Sequence, residues 1–399
     1  MPQYHIAFVN HSAYPHINPT LSLVAALVRR GCRVTYLTSS KFYGTICALG
    51  AECSICPIFD ASTEAAPANE RHQQWWTWDD ISVFYEDFVS FADLLIPELI
   101  SKYEQDRPDL ILYDSLMFGG RVLAEKFGIP AVQMTPIFAY HDVYFTRRSG
   151  ICYTPPGFIE FGNKLDRFFN RHGVLGRGQL FHKESLNIHF FPKAFQFAAE
   201  TFDERFLFAG GCIAERPVQG EWDTSDGDKP VIMVSASTTS YCTTDYFNTF
   251  FDALRDLPWR AVMAVGDSVD PESFERVPDN VELHRYLPYP LVLPRTWLNI
   301  CHGGTSTIVE SLHHGVALIC ISQSAEPAEY SDRVVELGVG LHISQKDLTS
   351  DVLRKAVLGV SADAGLLQRV KAMQEAIRQE SVGAEEVASR LMKYFPDEP

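Results

Sequence analysis

The amino-acid sequence predicts an α/β protein built as two doubly wound, Rossmann-like domains facing each other across a cleft. Three observations carry that reading. The chain has 399 residues, more than the ~250–300 at which a single hydrophobic core stops growing. Short β-branched apolar runs alternate with segments of helical hydrophobic period, and the runs are continuous, as in parallel strands covered on both faces. The alternation stops at a polar, turn-rich stretch over residues 215–230 and then starts again. Domains are therefore expected at 1–215 and 231–380, with a linker at 216–230 and a last helical segment at 381–399.

Residues 5–10 form the first apolar run. A polar loop follows, then apolar residues at helical spacing over 21–30, a stop at Gly31, and a β-branched and aromatic run over 33–38. Strand, helix, glycine stop and strand within about 35 residues make a βαβ unit of a parallel sheet. The pattern returns as strand 108–113, helix 119–127 and strand 129–134. Beyond the linker it recurs with strands at 231–235, 260–265, 298–302 and 316–321 and helices at 247–257 and 306–313. Residues 379–399 read as helical to about Tyr394, with an amphipathic stretch over 387–392. Two aromatic concentrations interrupt the regular pattern: Trp75-Trp76-Thr77-Trp78, and 17 Phe and Tyr over residues 138–208. That density, about twice the 12% aromatic content of the chain, fits either packed helical core or an apolar pocket for an aromatic or polycyclic ligand.

Charge narrows the partners. With 50 Asp and Glu against 34 Lys and Arg the chain carries −16, whereas non-specific nucleic-acid binding needs a cationic surface. A nucleic-acid partner is not expected, and a phosphate ligand has to be held locally by backbone dipoles and a few donors. Residues 1–10 lack a basic stretch followed by a long apolar one, and no apolar run approaches the ~20 residues that span a bilayer. The nine cysteines are odd in number and scattered, which suits reduced thiols. A cytoplasmic protein without a membrane span, monomeric or homodimeric, is expected. Cys53-Ser-Ile-Cys56 has no second pair to complete a zinc site, and Asp226-Gly-Asp228 lies in the linker and reads as a turn; no metal site is expected.

Three loops at strand ends carry the candidate chemistry. The first, 10–19, holds His16 just before the helical period begins and lacks the G-x-G-x-x-G of dinucleotide-binding folds. Histidine titrates near neutrality and is the commonest general base. The second loop begins at Asp114, whose carboxylate is a candidate orienter for an imidazole at the neighbouring strand end, or a cap for the following helix. The third runs Cys301-His302-Gly303-Gly304-Thr305-Ser306-Thr307 into a helix containing Glu310. Glycines let backbone approach a ligand closely, and a helix N-terminus offers unpaired N–H groups to an anion. Ser306 and Thr307 add hydroxyls, so an acidic protein can hold a diphosphate at this one place.

Together these loops resemble the nucleotide-sugar-dependent glycosyltransferases of the GT-B fold. More narrowly, the chain is similar to the family-1 group of UDP-glycosyltransferases and bacterial macrolide glycosyltransferases, in order and at family spacing from Phe8 to about Gly340. His16-Ile-Asn-Pro19 is similar to the family's H-x-N-P segment, which implies His16 as catalytic base. The run ending in Asp114 is similar to the strand that carries the base's aspartate partner. His302-Gly-Gly-Thr-Ser-Thr followed by Glu310 is similar to the donor signature. It implies that His302 and the hydroxyls at Thr305, Ser306 and Thr307 contact the diphosphate over Gly303 and Gly304, and that Glu310 holds the ribose. Tyr286, in Arg285-Tyr-Leu-Pro-Tyr289, falls where the family stacks an aromatic on the nucleobase, and Thr238 falls at a phosphate-contacting hydroxyl. The resemblance further implies an acceptor-binding first domain, a donor-binding second domain and a final helix that crosses back to the first.

Three departures bear on the donor. The family's Pro-Gln-x-x-Asp/Glu-Gln is here Ser322-Gln-Ser-Ala-Glu326-Pro327. Glu326 keeps the acid, but Pro327 replaces an amide that binds a sugar hydroxyl and has no side-chain donor of its own. Ser237 stands for a usual glycine and Tyr289 for a base-edge glutamine. A lost fixed hydrogen bond lowers discrimination at that hydroxyl, which points to a deoxy or modified sugar, or to a homologue without activity. The expected chemistry is inverting O-glycosyl transfer from a UDP- or dTDP-sugar to a hydroxyl of a hydrophobic polyketide, macrolide or phenolic acceptor, without metal or resident cofactor. A nucleotide-sugar epimerase and a non-catalytic binding or activating homologue are the alternatives.

Overall fold

The computed structural model describes residues 4–64, 76–140, 146–148, 151–174, 184–213, 218, 220–222, 230–235, 242–266 and 269–395. The chain forms two compact units. The first takes Met1–Pro67, Thr77–Pro217 and Glu380–Pro399, and the second Ala68–Trp76 and Val218–Gln379.

The first unit runs β1 (His5–Val9), α1 (Tyr14–Arg29), β2 (Arg33–Thr38), α2 (Ser40–Cys47), β3 (Glu52–Ile55), α3 (Pro57–Glu64), α4 (Trp78–Tyr103), β4 (Leu110–Asp114), α5 (Phe118–Phe127) and β5 (Ala131–Thr135). It continues with β6 (Thr146–Arg148), β7 (Ile151–Tyr153), α6 (Pro156–Arg171), β8 (Asn187–His189) and β9 (Phe206–Phe208). Seven of these strands make a parallel sheet in the order β3-β2-β1-β4-β5-β8-β9, and β6 and β7 form a separate antiparallel pair. Winding goes outward from β1 to β3 and then jumps back to β4 on the other side of β1. The connections after β1 and β4 therefore diverge at a topological switch point, where open α/β sheets bind ligands. Val9 pairs with Tyr113, so the loop after β1 and the last residue of β4, Asp114, emerge side by side.

The second unit repeats this winding. It contains β10 (Val231–Ser235), α7 (Thr244–Leu254), β11 (Arg260–Ala264), β12 (Val281–His284), a short α8 (Tyr289–Val292), β13 (Thr296–Cys301) and α9 (Thr305–His313). These are followed by β14 (Ala317–Ser322), α10 (Ala325–Glu336), β15 (Gly340–Ser344), α11 (Ser350–Ala362) and α12 (Ala364–Glu380). The parallel order β12-β11-β10-β13-β14-β15 puts its switch point between β10 and β13. The final helix, α13 (Gly383–Met392), belongs to the first unit. Its Val387, Ala388 and Leu391 share a buried core with Leu21, Leu27 and Phe8, and Glu385 pairs with Arg29, the last residue of α1, and with Arg30, which caps it.

Several elements differ from the sequence reading. Helix α1 begins at Tyr14 instead of 21, because its first turn is polar and carries Pro15, tolerated where the N–H has no intrahelical partner. The C-terminal segment is not one helix over 379–394: it breaks between Glu380 and Gly383, where Gly383 has φ +69°. Trp222, from the expected linker, is buried in the core of the second unit beside Met233, Leu287 and Leu293. The described aromatic residues of the stretch 138–208 are mostly core: Phe138, Phe191, Phe195 and Phe197 pack together, and Phe161 and Phe168 of α6 pack on Phe118 of α5.

Candidate active site

His16 and Asp114 meet at the first switch point. His16 is the third residue of α1, held by its N–H on the Ala13 carbonyl at 3.0 Å, and Asp114 ends β4. His16 Nδ1 lies 2.6 Å from Asp114 Oδ2. The other carboxylate oxygen, Oδ1, accepts the Leu116 N–H at 2.9 Å. A carboxylate only accepts, so Nδ1 carries the proton and Nε2 presents its lone pair. The aspartate side chain is 2% exposed and the histidine 14%, which leaves an accessible base over a buried orienter. The loop that leads from β1 to His16 is pinned by side chains: Asn10 Nδ2 donates to the His16 carbonyl at 2.9 Å and to Tyr36 Oη at 2.7 Å, and Ser12 bonds Ser39 across 2.7 Å.

The second switch point holds the glycine turn. After β13, Gly303 has φ +88°, and a Cβ there would lie 2.4 Å from Ser331 Oγ and 2.9 Å from the Pro327 carbonyl oxygen. Gly304 is the N-cap of α9 and supplies no side-chain cap, so the first-turn N–H groups stay open to an anion. A Cβ on Gly304 would come within 2.3 Å of His302 Nε2, so the imidazole folds directly over the helix start. Burial pulls His302 down to about 4, with the Ser235 backbone opposing, and the ring is a neutral donor at physiological pH. Thr305, Thr307 and Glu310 are buried, and Ser306 is half-buried. Ser235 Oγ to Asn299 Oδ1 (3.2 Å), Asn299 Nδ2 to Ser311 Oγ (2.9 Å) and Ser311 Oγ to the Thr307 carbonyl (2.7 Å) tie β10, β13 and α9 into one frame.

The remaining donor candidates are distributed around that turn. Tyr286 follows β12 and is 46% exposed. Glu326 and Pro327 occupy the first turn of α10, where proline is tolerated. Tyr330 Oη donates to Glu326 Oε1 at 2.9 Å, and the Pro327 carbonyl accepts Ser331 Oγ at 2.6 Å. Thr238, Ser237 and the Asp226-Gly-Asp228 string lie outside the described residues.

Two features of the second unit escaped sequence reasoning. The Tyr289 phenol hydrogen-bonds Ser235 and Thr307 beside Glu310, and burial pushes it up to about 12, so it stays protonated. Thr307 is thus already engaged by a residue whose sequence signal was only a departure from a motif. Ser322 Oγ, His342 Nε2 and Nδ1, and Asp332 Oδ1 form a bonded series at 2.7 and 2.8 Å. These are the distances of a nucleophile, base and orienter, but Ser322 is wholly buried, so the series clamps the end of β14 to β15 and α10. Residues spaced over three elements leave no motif to find.

Comparison with known proteins agrees with this geometry. Residues 249–393 match the model of the erythromycin biosynthesis protein CIII-like C-terminal domain. The chain is 37% identical to an NDP-glycosyltransferase, YjiC, of Bacillus licheniformis, over 98% of both chains. It is 29% identical to the demethyllactenocin mycarosyltransferase of Streptomyces fradiae, covering 94% of this chain and 83% of that one. Among solved structures, the calicheamicin glycosyltransferase CalG4 superposes with a TM-score of 0.80 at 29% identity, over 99% of this chain and 98% of that one. Two Rossmann-like parallel sheets wound alike, a His–Asp pair at one switch point, a glycine turn at the other and full-length similarity of this degree have one reading: the chain belongs to the GT-B glycosyltransferases, in the group of the NDP-glycosyltransferases and macrolide glycosyltransferases.

Proposed function

We propose that the protein transfers a sugar from a UDP- or dTDP-sugar to a hydroxyl of a hydrophobic small molecule of the polyketide, macrolide or phenolic kind, with inversion. The observation that carries the reading is the 2.6 Å bond between His16 Nδ1 and the buried Asp114 carboxylate. It leaves Nε2 as the acceptor of the substrate hydroxyl proton and stabilises the imidazolium that results. The acceptor oxygen attacks the anomeric carbon as its proton passes to Nε2. The bond from that carbon to the β-phosphate oxygen breaks, and its electron pair leaves with the nucleoside diphosphate. One displacement from the face opposite the leaving group inverts the centre. The open N-terminus of α9 and the neutral His302 donor stabilise the developing diphosphate charge without need of a metal.

Full-length similarity to enzymes named for sugar transfer supports the same substrate classes here. The test is the His16→Ala variant assayed with UDP- and dTDP-glucose and a phenolic acceptor. Transfer is expected to vanish while nucleotide binding, measured by calorimetry, is kept. Transfer at near wild-type rate removes His16 as the base, and nucleotide binding without turnover by the wild type assigns the chain to the non-catalytic homologues.

A further inference from the structure

We propose that His11 is a positioning residue for His16: its ring wedges between Phe88 and His16 and fixes the plane in which the base meets Asp114. The inference rests on the reading of His16 as the base. One hydrogen bond holds one atom of the His16 ring and leaves the ring free to swing about that point. The second constraint comes from His11, whose centroid lies 4.8 Å from that of His16 with the planes at 84°. On its other side His11 meets Phe88 of α4 edge-on, at 5.1 Å and 85°. Phe88 is itself backed by Phe84 and Tyr85 at 5.3 and 6.2 Å. A rigid helix thus presses, through an aromatic ladder, on the ring that must accept the proton, and small misplacement of such a group costs rate steeply.

The wedge has to stay uncharged, since an imidazolium against His16 would oppose the proton that His16 takes up. The titratable groups facing His11 are His16 from α1 and Asp114 from β4, and α4 meets it with Phe88. Burial first, then His16, hold His11 down to about 3 against the weaker pull of Asp114. His11 is therefore neutral wherever His16 can work, and it acts by shape instead of by proton transfer.

The experiment compares wild type, His11→Ala, His11→Phe and His16→Ala, with 4-methylumbelliferone and whichever of UDP-glucose and dTDP-glucose the wild type turns over. His11→Ala is expected to lower kcat by at least about tenfold with both KM values within about twofold, and to move the acidic limb of kcat/KM against pH. His11→Phe restores a ring and is expected to stay within about threefold of wild type on every parameter. In parallel, the Nδ1 proton of the His16–Asp114 bond is followed by NMR. It should broaden or disappear in His11→Ala and persist in His11→Phe. Unchanged kcat, pH limb and proton signal in His11→Ala overturn the proposal, and so does a His11→Phe variant as damaged as His11→Ala, which would make His11 a proton carrier. Activity retained by His16→Ala, or a wild type inactive on both donors, fails the base reading instead, and the NMR arm still decides whether His11 seats the ring.

Discussion

Asp114 gives each carboxylate oxygen one task, Oδ1 for the Leu116 N–H and Oδ2 for the His16 Nδ1–H. An asparagine keeps the shape but has one accepting oxygen, so either the loop or the imidazole loses its partner and Nδ1 loses its fixed proton. Asp114→Asn is therefore expected to lower kcat on the order of 10²–10⁴-fold, with nucleotide affinity by calorimetry unchanged. Gly303 is the corresponding hinge of the donor turn. With φ at +88° and Pro327 and Ser331 closing on the space of a side chain, Gly303→Ala combines left-handed strain of about 1–2 kcal/mol with a shifted turn. A lower unfolding midpoint in urea and a raised donor KM are expected together. A variant with wild-type donor KM would separate the turn from donor binding. Tyr289 makes the third case. Removing its hydroxyl releases Thr307 and Ser235, so Tyr289→Phe should change donor KM while leaving acceptor KM alone, as initial-rate kinetics with each substrate varied would report.

Elements were legible where burial forces a pattern. β1, β4, β10 and β13 are covered on both faces, so their apolar runs are continuous and end within a residue or two of the reading, which placed His16, Asp114 and the glycine turn at strand ends. Helix starts were less legible: the first turn of α1 carries His16 and Pro15 on behalf of the site, not of the hydrophobic period. His11 left no trace because its partners come from α1 and α4, far apart in sequence, and the His342 clamp likewise joins three elements. The break before α13 comes from one backbone position, Gly383, that a composition window averages away. Helix α13 closes the core under α1 through Val387, Ala388 and Leu391, all fully buried. Leu391→Ala should cost about 2–5 kcal/mol, read as a lower denaturation midpoint for the unit that holds His16. A loss below about 1 kcal/mol would mean that the helix only rests on the surface.

For the whole molecule, the histidines whose proton affinity the fold lowers set where stability is lost in acid. His11 is held at about 3, and His189 and His302 at about 4, in each case chiefly by burial. Unfolded, each returns to the ordinary value near 6.5. Between those limits the unfolded chain binds protons that the folded one refuses, so stability is full above about pH 6.5 and falls as pH drops toward 4. His189 isolates this effect. It is buried between Phe206 and Phe208, at 5.7 and 5.5 Å, with Nδ1 on the Ile137 carbonyl at 3.3 Å, well away from either candidate loop in the chain. At pH 5 its refusal to protonate costs on the order of 1–2 kcal/mol relative to pH 7.5. A phenylalanine fills the same aromatic slot and takes no proton. Urea unfolding of wild type and His189→Phe at pH 7.5 and 5.0, with UDP present to raise the second unit's transition away from the first, reads the difference. The first-unit transition of the wild type should lose more stability on acidification than that of the variant, by about that 1–2 kcal/mol. Equal losses would show that His189 does not carry the acid sensitivity and would leave it to the unit's other depressed histidines, His5 and His11.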